Sequence, residues 1–373
     1  MSIFSTNNIQ TFFELLRAGL WEKDARLSIY NDIDCTAVMR LSEEQSVVGL
    51  VAAGLEHVTD IEFPKEDLLQ FVGQALQLEQ RNMAMNHFLA SIIEKLRNEG
   101  VYALLLKGQG IAQCYERPLW RASGDVDLFL SNDNYKNAVN VLTPLANEVE
   151  DENIYTKHIG LRIDKWEVEL HGSLRSELWK RLDNMLDEVQ EEIFYGGAVR
   201  SWMDGSTQVF MPRTDEDVVY VFTHILQHFF KGGIGLRQIC DWCRLIYTYR
   251  DSLNYGLLES RIRKAKIMTE WKVFATLAVD YLGMPGGYMP LYDGSNKWKK
   301  KADRLLAFIL ETGNFGHNRD MSYINKESAI SRKWKTFCHI TSDTFKQFAI
   351  FPMDSIRVWL QMMRIGLLSL VGK

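Results

Sequence analysis

The feature that most constrains the fold is a change of residue pattern between Val101 and Gly172. Before it, apolar residues recur every three or four positions in residues 9–20 and 67–98, which predicts helices. Within it, short apolar runs end at glycines or polar turns, so VYALLLKG, GDVDLFL, GLRID and WEVELHG are predicted strands, with predicted helices in GIAQCYE and NDNYKNAVNVLTPL. From Pro212 the helical spacing returns. We therefore expect an α+β protein, in which a mixed sheet core is flanked by N-terminal and C-terminal helical regions.

The same changes of pattern divide the chain into three parts. Its 373 residues exceed one ordinary core and suit two or three domains. We predict an N-terminal helical region at 1–99, an α/β core at 100–212 and a C-terminal helical domain at 213–373. Capping preferences place Asn132 or Asp133 near the start of a core helix, and Thr214 at the N-cap of the first C-terminal helix.

Two acids interrupt the apolar run GDVDLFL, at Asp125 and Asp127. Residues two apart in a strand point to the same face, whereas Val126 between them points the other way. Two carboxylates at this spacing repel each other, and a cation between them would hold both ionised. Mg²⁺ or Mn²⁺, which prefer oxygen ligands, are the natural ions for such a site. The alternative is that both acids are simply solvated at the end of a strand.

A third acid, Glu169, lies between apolar residues in WEVELHG, which a tight turn at Asp164-Lys165 joins to GLRID. Neighbouring strands lie about 5 Å apart, so Glu169 can reach the same site from a second strand. The sequence therefore predicts a metal site formed by Asp125, Asp127 and Glu169.

These residues resemble an uncharacterised bacterial nucleotidyltransferase-like family within the DNA polymerase beta-type nucleotidyltransferase superfold. The motifs are LKG, a tyrosine, R-x-x-x-D-h-D and VELHG, found here as Leu106-Lys107-Gly108, Tyr115, Arg121 ahead of Asp125-Val126-Asp127, and Glu169 with His171. The resemblance covers residues 100–212 and extends more loosely to the helices that carry His224 and LRQICDW. It implies a nucleotidyltransferase-like mixed sheet core.

The resemblance implies a transferase that moves a nucleoside monophosphate from an NTP, such as ATP, to a hydroxyl of a small-molecule, sugar or protein acceptor. Asp125 and Asp127 would bind one or two Mg²⁺ or Mn²⁺ ions that bridge the NTP phosphates. Glu169 would be a third ligand or the base that deprotonates the acceptor. The residues implied to hold the nucleotide are Lys107, Gly108, Gln109, Arg121 and Ser123. Arg121 and Lys107 are equally compatible with pairing to an aspartate, and Ser123 with a turn.

Four further residues are candidates for the side of the site that would face the acceptor. His171 follows Glu169 by two residues and shares its strand face, where it can also be structural. His224 lies one helical turn from His228, but no third ligand is recognisable, so packing is favoured over metal binding. Arg237 and Asp241 also lie one helical turn apart. The simplest interpretation is that they pair on the surface of the helix, although they can also line the cleft.

One position departs from the wider superfold. Gly108-Gln109 stands where Gly-Ser is usual, so the serine hydroxyl that helps to hold the phosphates is missing. Glycine still permits close backbone approach, and Lys107 or Arg121 can supply positive charge. The missing serine motivates a second hypothesis, a binding or regulatory protein that keeps the fold and has lost transfer.

Composition limits the partners and the location. A net charge of −5 and the lack of an aromatic-basic stripe argue against nucleic acid. No window suggests a membrane span, and the amphipathic segment 355–373 fits a docked helix better than a helix on a membrane surface. Five thinly spread cysteines and no signal-peptide pattern predict the cytoplasm. Cys240 and Cys243 lie in a helical stretch and are interpreted as a buried structural pair.

Overall fold

The computed structural model describes residues 6–316, 318 and 329–370. Four helices precede the sheet, and the fourth is 34 residues long. They are α1 (Thr6–Trp21), α2 (Cys35–Glu44), α3 (Val48–Leu55) and α4 (Lys65–Asn98).

Five strands form one mixed sheet in the order β1-β2-β5-β4-β3. They are β1 (Leu104–Leu106), β2 (Asp125–Phe129), β3 (Glu148–Val149), β4 (His158–Ile163) and β5 (Trp166–His171). β2 and β5 pair in parallel, and every other neighbouring pair is antiparallel. Two helices accompany the strands, α5 (Gly108–Ala112) after β1 and α6 (Asn132–Leu142) after β2.

A hairpin and further helices follow the sheet. They are α7 (Lys180–Tyr195), β6 (Arg200–Asp204), β7 (Thr207–Met211), α8 (Thr214–Lys231), α9 (Leu236–Thr248), α10 (Tyr255–Ala265), α11 (Met268–Asp280), α12 (Asn296–Thr312), α13 (Ala329–Phe348) and α14 (Pro352–Leu370). The predicted α+β class, with a mixed sheet between helical regions, is confirmed.

The two faces of the sheet have different surroundings. Val126, Leu128 and Val168 point to a face that packs in one hydrophobic cluster with α4 and α6. Because side chains alternate along a strand, Asp127 and Glu169 point to the opposite face. The apolar face anchors β2 and β5, so the acids can be held on a rigid support.

A second hydrophobic cluster joins helices from both ends of the chain. It includes Phe12 of α1, Val51 of α3, Trp242 of α9 and Trp271 of α11, all fully buried. The helices before and after the sheet therefore share one core. The three domains predicted at 1–99, 100–212 and 213–373 therefore remain a prediction.

The first strand and helix of the core are shorter than predicted. VYALLLKG supplies only the three residues of β1, and the helix expected in GIAQCYE is already complete from Gly108 to Ala112. The reason lies in the turn between them, where Lys107 and Gly108 have φ values of 51° and 44°. This reversal of the backbone ends the strand and starts the helix two residues earlier than the sequence pattern indicates.

One predicted helix cap is wrong by one residue. Thr214 lies inside α8, and its N-cap is Arg213, whose backbone is extended and whose carbonyl accepts from the Asp217 N–H at 2.9 Å. Asn132 and Asp133 lie at the start of α6 as predicted, directly after its N-cap Ser131. An N-cap needs non-helical backbone angles, which only the conformation of the preceding loop decides.

The C-terminal helix α14 docks against the rest of the protein. Val358 is buried, and the Gln361 side chain donates to the Glu177 carbonyl at 2.8 Å. In the described part of the chain, no helix combines the length and the apolar character that a membrane crossing requires. Cys240 and Cys243 are buried, unbonded thiols within α9.

Helices α1 and α3 cross closely because glycines lie at their contact. A Cβ at Gly54 would lie 2.0 Å from the Leu15 carbonyl oxygen, and one at Gly19 would lie 1.9 Å from that of Leu50. Backbone atoms cannot yield at such distances without moving a helix.

We therefore expect Gly54→Ala to destabilise the protein by about 1–3 kcal/mol or more, as overpacked cores do. Gly73→Ala in α4 is the matched control, since nothing lies within 4 Å of a Cβ there. Alanine has the higher helix propensity, so this control should stabilise by up to about 1 kcal/mol. Urea unfolding of both variants measures the difference; equal stabilities would contradict the close crossing.

Candidate active site

Three carboxylates meet on the polar face of the sheet. In the parallel pairing of β2 with β5, Asp127 is the register partner of Glu169, and Asp125 lies two residues earlier on the same face. One carboxylate oxygen from each of the three residues lies within 4.8 Å of the others. The structure thus brings together the acids that the sequence singles out.

Lys107 reaches these acids from the turn after β1. Its Nζ lies 2.9 Å from Asp127 Oδ1 and 2.8 Å from His224 Nε2. The left-handed backbone of Lys107 is uncommon for a residue with a side chain and typically costs about 1–3 kcal/mol. Burial lowers the pKa of Lys107, but the charge of Asp127 outweighs it and raises the pKa above its usual value. Lys107 therefore stays protonated and places a positive charge beside Asp127.

His171 is a second cation at Asp127. Its Nε2 lies 2.9 Å from Asp127 Oδ1 and 3.3 Å from Glu169 Oε2. Burial lowers the pKa of His171, but the hydrogen bonds to Asp127 and Glu169 raise it to about 9. With these partners the imidazole is protonated at neutral pH.

The neighbours of Asp125 and of Glu169 shift the pKa values of these two carboxyl groups in opposite directions. The charge of Asp127, followed by burial, raises the pKa of Asp125, which makes no ion pair in the part of the chain that the structure describes. Burial also raises the pKa of Glu169, but hydrogen bonds from His158 and His171 outweigh it and hold that pKa well below its usual range. Asp125 is thus the carboxylate whose charge is least compensated.

His158 belongs to the site although sequence reasoning did not select it. It is the antiparallel register partner of His171, and its Nε2 lies 3.2 Å from Glu169 Oε2. A signal was available, because a tight turn at Asp164-Lys165 that pairs Ile163 with Trp166 also pairs 158 with 171. The predicted strand GLRID began two residues too late to include it.

Arg121 and Asp241 form a buried ion pair. Arg121 Nε lies 2.8 Å from Asp241 Oδ1 and Nη2 lies 2.6 Å from Oδ2, while the Tyr115 hydroxyl donates to Oδ1 at 2.9 Å. The expected helix-surface pair of Arg237 with Asp241 is therefore wrong. Asp241 points inward from α9 to the segment before β2, a long-range partner that spacing within one helix cannot indicate.

Arg237 is left as a half-buried guanidinium without a carboxylate partner among the described residues. Its Nη1 donates to the Ala122 carbonyl at 2.8 Å, and its buried Nε has no hydrogen-bond partner in the part of the chain that the structure describes. Burial, followed by the charge of Arg121, lowers the pKa of Arg237. Arg121 Nη1 is also buried without a hydrogen-bond partner among the described residues. Both side chains line the same cavity, where an anion could accept from these nitrogens.

Gln109 and Ser123 point away from the acids, toward α4. The Gln109 amide donates to Asn86 Oδ1 at 2.7 Å, and the Ser123 hydroxyl donates to Asn82 Oδ1. Their predicted contacts with nucleotide do not fit these side-chain positions. Asn82 itself donates at 2.7 Å to the carbonyl of Arg121, so α4 holds the segment before β2, a role that its sequence pattern did not reveal.

The acids open into a cavity of about 210 Å³ between the sheet and helices α8 and α9. Larger hollows occur elsewhere, including one of about 520 Å³ beside Tyr155 and Trp179. Neither of the two potential metal-ligand groups found in the described residues lies there. We therefore place the candidate site in the smaller cavity. Its lining includes Lys107, Gly108, Arg121, Asp125, Asp127, Glu169, His224, His228, Arg237, Asp241 and Phe315.

His224 and His228 form a neutral pair at the wall of this cavity. Their Nε2 atoms lie 3.1 Å apart. Burial and the charge of Lys107 hold the pKa of His224 well below its usual value and lower that of His228 to about 4. His224 can therefore accept a hydrogen bond from the Lys107 ammonium, and it orients that cation toward Asp127.

The donor set fits a divalent cation. Asp125, Asp127 and Glu169 offer the hard oxygen ligands that Mg²⁺ and Mn²⁺ prefer, and the raised pKa of Asp125 reflects the repulsion that such an ion would relieve.

A family model described as an uncharacterised nucleotidyltransferase matches residues 31–283, more than half of the chain. The matched region contains the sheet, the three carboxylates and the helices α8 and α9 that line the cavity. The class that this fold and site define is therefore nucleotidyltransferase. The chain belongs to this uncharacterised nucleotidyltransferase family. No curated protein and no solved structure matches it.

The buried ion pair of Arg121 and Asp241 leads to a prediction about stability. Asp241→Asn leaves the Arg121 guanidinium without its carboxylate, so we expect a loss of about 3–5 kcal/mol in the free energy of unfolding. The control is Asp187→Asn, which breaks a pair of the same bidentate geometry with Arg175, whose side chain is 36% exposed against 4% for that of Arg121. That loss should be below about 1 kcal/mol. Urea unfolding compares them, and a similar loss in both variants would contradict the structural role of the buried pair.

Proposed function

We propose that this protein is an active, metal-dependent nucleotidyltransferase that moves a nucleoside monophosphate from an NTP to an acceptor hydroxyl. One observation carries the proposal: three carboxylates from two paired strands converge in a cavity that is also lined by an arginine without a carboxylate partner among the described residues. Asp125, Asp127 and Glu169 would hold one or two Mg²⁺ or Mn²⁺ ions. Bound there, these ions would neutralise phosphate charge during transfer.

The cations of the cavity suit the phosphates of an NTP. Arg237 has no carboxylate partner among the described residues and a free buried Nε, and Arg121 has a free Nη1. Lys107 lies on the other side, at Asp127. We therefore assign Arg237 to the phosphates, not to the acceptor, together with Lys107 and Gly108. Asp241 has a positioning role, because its contacts hold Arg121 and Tyr115.

The low pKa of Glu169 favours a ligand role over the role of base. A carboxylate held strongly in its ionised form is a poor proton acceptor. In the transfer, the acceptor oxygen forms a bond to the α-phosphorus, the bond from that phosphorus to the β-bridging oxygen breaks, and pyrophosphate leaves. The acceptor proton passes to solvent, because an ion bound at Asp125 would relieve the repulsion that raises the pKa of that carboxylate. His171 lies beside Asp127 and would hold that carboxylate in place.

The size of the cavity suits only part of a nucleotide. Its 210 Å³ is below the roughly 300 Å³ of small ligand pockets, so it has room for the phosphates and not for the nucleoside. Phe315 is 54% exposed at the edge of the cavity and packs edge-on against His228 at 5.0 Å. Its ring is available to stack with the base of ATP or another NTP.

A specific contact favours the second hypothesis, a binding or regulatory protein without transfer. Asp127 already holds two protein cations, Lys107 and His171, each 2.9 Å from Oδ1. In a degenerate site such cations take the place of a metal.

The five cysteines are free, which suits the proposed cytoplasmic location in either case. Nucleic acid is the less favoured partner, and the acceptor is a small molecule, a sugar or a protein.

The first test is thermal stabilisation by each NTP with Mg²⁺ or Mn²⁺. A ligand at 100 times its Kd stabilises the folded state by about 2.7 kcal/mol. Asp125→Asn should abolish this stabilisation while leaving the free protein as stable as wild type or more so, because it removes a repelling charge. Asp251→Asn, at an aspartate whose side chain is 88% exposed, is the matched control and should respond as wild type does. A metal-dependent shift that persists in Asp125→Asn would sink the proposed site.

Turnover separates the two hypotheses. Pyrophosphate release from an NTP, in the presence of pooled hydroxyl acceptors, supports transfer if it is lost in Asp125→Asn. Nucleotide-dependent stabilisation without pyrophosphate release, across such pools, supports the binding protein.

Arg237 provides a separate prediction. Arg237→Gln should weaken NTP binding by about 10- to 100-fold, which corresponds to one lost charge-assisted hydrogen bond. The melting temperature of the free protein should not fall, because the substitution removes a half-buried charge that has no carboxylate partner among the described residues. Arg263→Gln, on the surface of α10, is the control and should bind NTP as wild type does. Isothermal titration checks both, and equal affinities would remove Arg237 from the phosphate site.

A further inference from the structure

A second cluster of potential metal ligands lies beside the carboxylate site. It consists of His158 on β4 with Glu169 and His171 on β5, whose ligand atoms all lie within 4.8 Å of one another. His158 and His171 are register partners in the antiparallel pair of β4 and β5, and Glu169 lies two residues before His171 on the same face. The backbone of two paired strands therefore fixes all three side chains.

The spacing of the ligand atoms suits one ion. Glu169 Oε2 lies 3.2 Å from His158 Nε2 and 3.3 Å from His171 Nε2. Ligands about 2.1 Å from a common ion lie roughly 3.0 Å apart at neighbouring octahedral positions and roughly 3.4 Å apart at tetrahedral ones. Both separations fall in that interval, and both exceed the roughly 2.9 Å typical of a hydrogen bond between nitrogen and oxygen.

The chemistry of the cluster differs from that of the first site. Asp125 and Asp127 add only oxygen ligands to Glu169, which suit Mg²⁺ and Mn²⁺. His158 and His171 add two imidazole nitrogens, which favour ions such as Zn²⁺ and Co²⁺.

We propose that His158, Glu169 and His171 form a second metal site, selective for a divalent transition-metal ion and joined to the carboxylate site through Glu169. Two ions that share a carboxylate typically lie about 3.5–4 Å apart. Binding at His171 Nε2 displaces the imidazolium proton, so the second ion would take over the positive charge that His171 places beside Asp127. The proposal concerns metal binding alone and does not depend on nucleotidyl transfer.

Cobalt titration of the full chain, followed by the visible absorption of Co²⁺, tests the site directly. Wild-type protein should show absorption bands of nitrogen-ligated Co²⁺, and His158→Gln should bind this ion at least about tenfold more weakly. Asp125→Asn should retain the bands. His87→Gln is the matched control, since the side chain of His87 is 78% exposed and belongs to neither cluster. Calorimetry with Mg²⁺ should give the same affinity for wild type and His158→Gln.

Two results would overturn the proposal. One is equal Co²⁺ binding by wild type and His158→Gln. The other is loss of the bands in Asp125→Asn with retention in His158→Gln, which would assign all the cobalt to the carboxylates.

A measurement on wild type alone guards against a variant that does not fold. In protein labelled with ¹⁵N-histidine, Zn²⁺ should shift the ring nitrogen signals of His158 and His171 together. If neither signal moves with added Zn²⁺, the cluster is held by hydrogen bonds only and the proposal fails.

Discussion

The repulsion among three carboxylates on one face of the sheet is the constraint on which the site depends. Parallel pairing of β2 with β5 places Asp127 opposite Glu169, and the alternation of β2 adds Asp125. Lys107 and His171 compensate Asp127, and the imidazoles of His158 and His171 both lie beside Glu169. Asp125 keeps its charge without a partner among the described residues, so the cluster as a whole attracts cations.

The compensation of these charges explains an otherwise costly backbone. Lys107 adopts a left-handed conformation that few residues with a side chain accept. That turn directs its ammonium between Asp127 and His224, and a neutral His224 accepts a hydrogen bond from it. The strained backbone of Lys107 thus holds its ammonium group in a fixed position beside the acids. The shortened β1 and the early start of α5 are consequences of the same turn.

The two arginines of the cavity differ in their partners. Arg121 has its carboxylate, Asp241, and ties the segment before β2 to α9. Among the described residues, Arg237 contacts a backbone carbonyl and no carboxylate at ion-pair distance, and its Nε is buried without a hydrogen-bond partner. A cation with such a nitrogen is unfavourable by itself, which is a physical reason to expect an anion in this cavity. In the proposed function, the charge of Arg237 on α9 takes the place of the serine that is missing after Gly108.

The sequence by itself determined the local features. Alternation in GDVDLFL and WEVELHG fixes which residues share a face, so the α+β class, the sheet strands and the three clustered acids were predictable. Only the tertiary packing fixes the partners that strand alternation and turn position do not indicate. It paired Asp241 with Arg121 and not with Arg237, and it turned Gln109 and Ser123 toward α4. Spacing along one element reports only that element's own faces, whereas these partners depend on how strands pair and helices pack, and residues more than a hundred positions apart meet there.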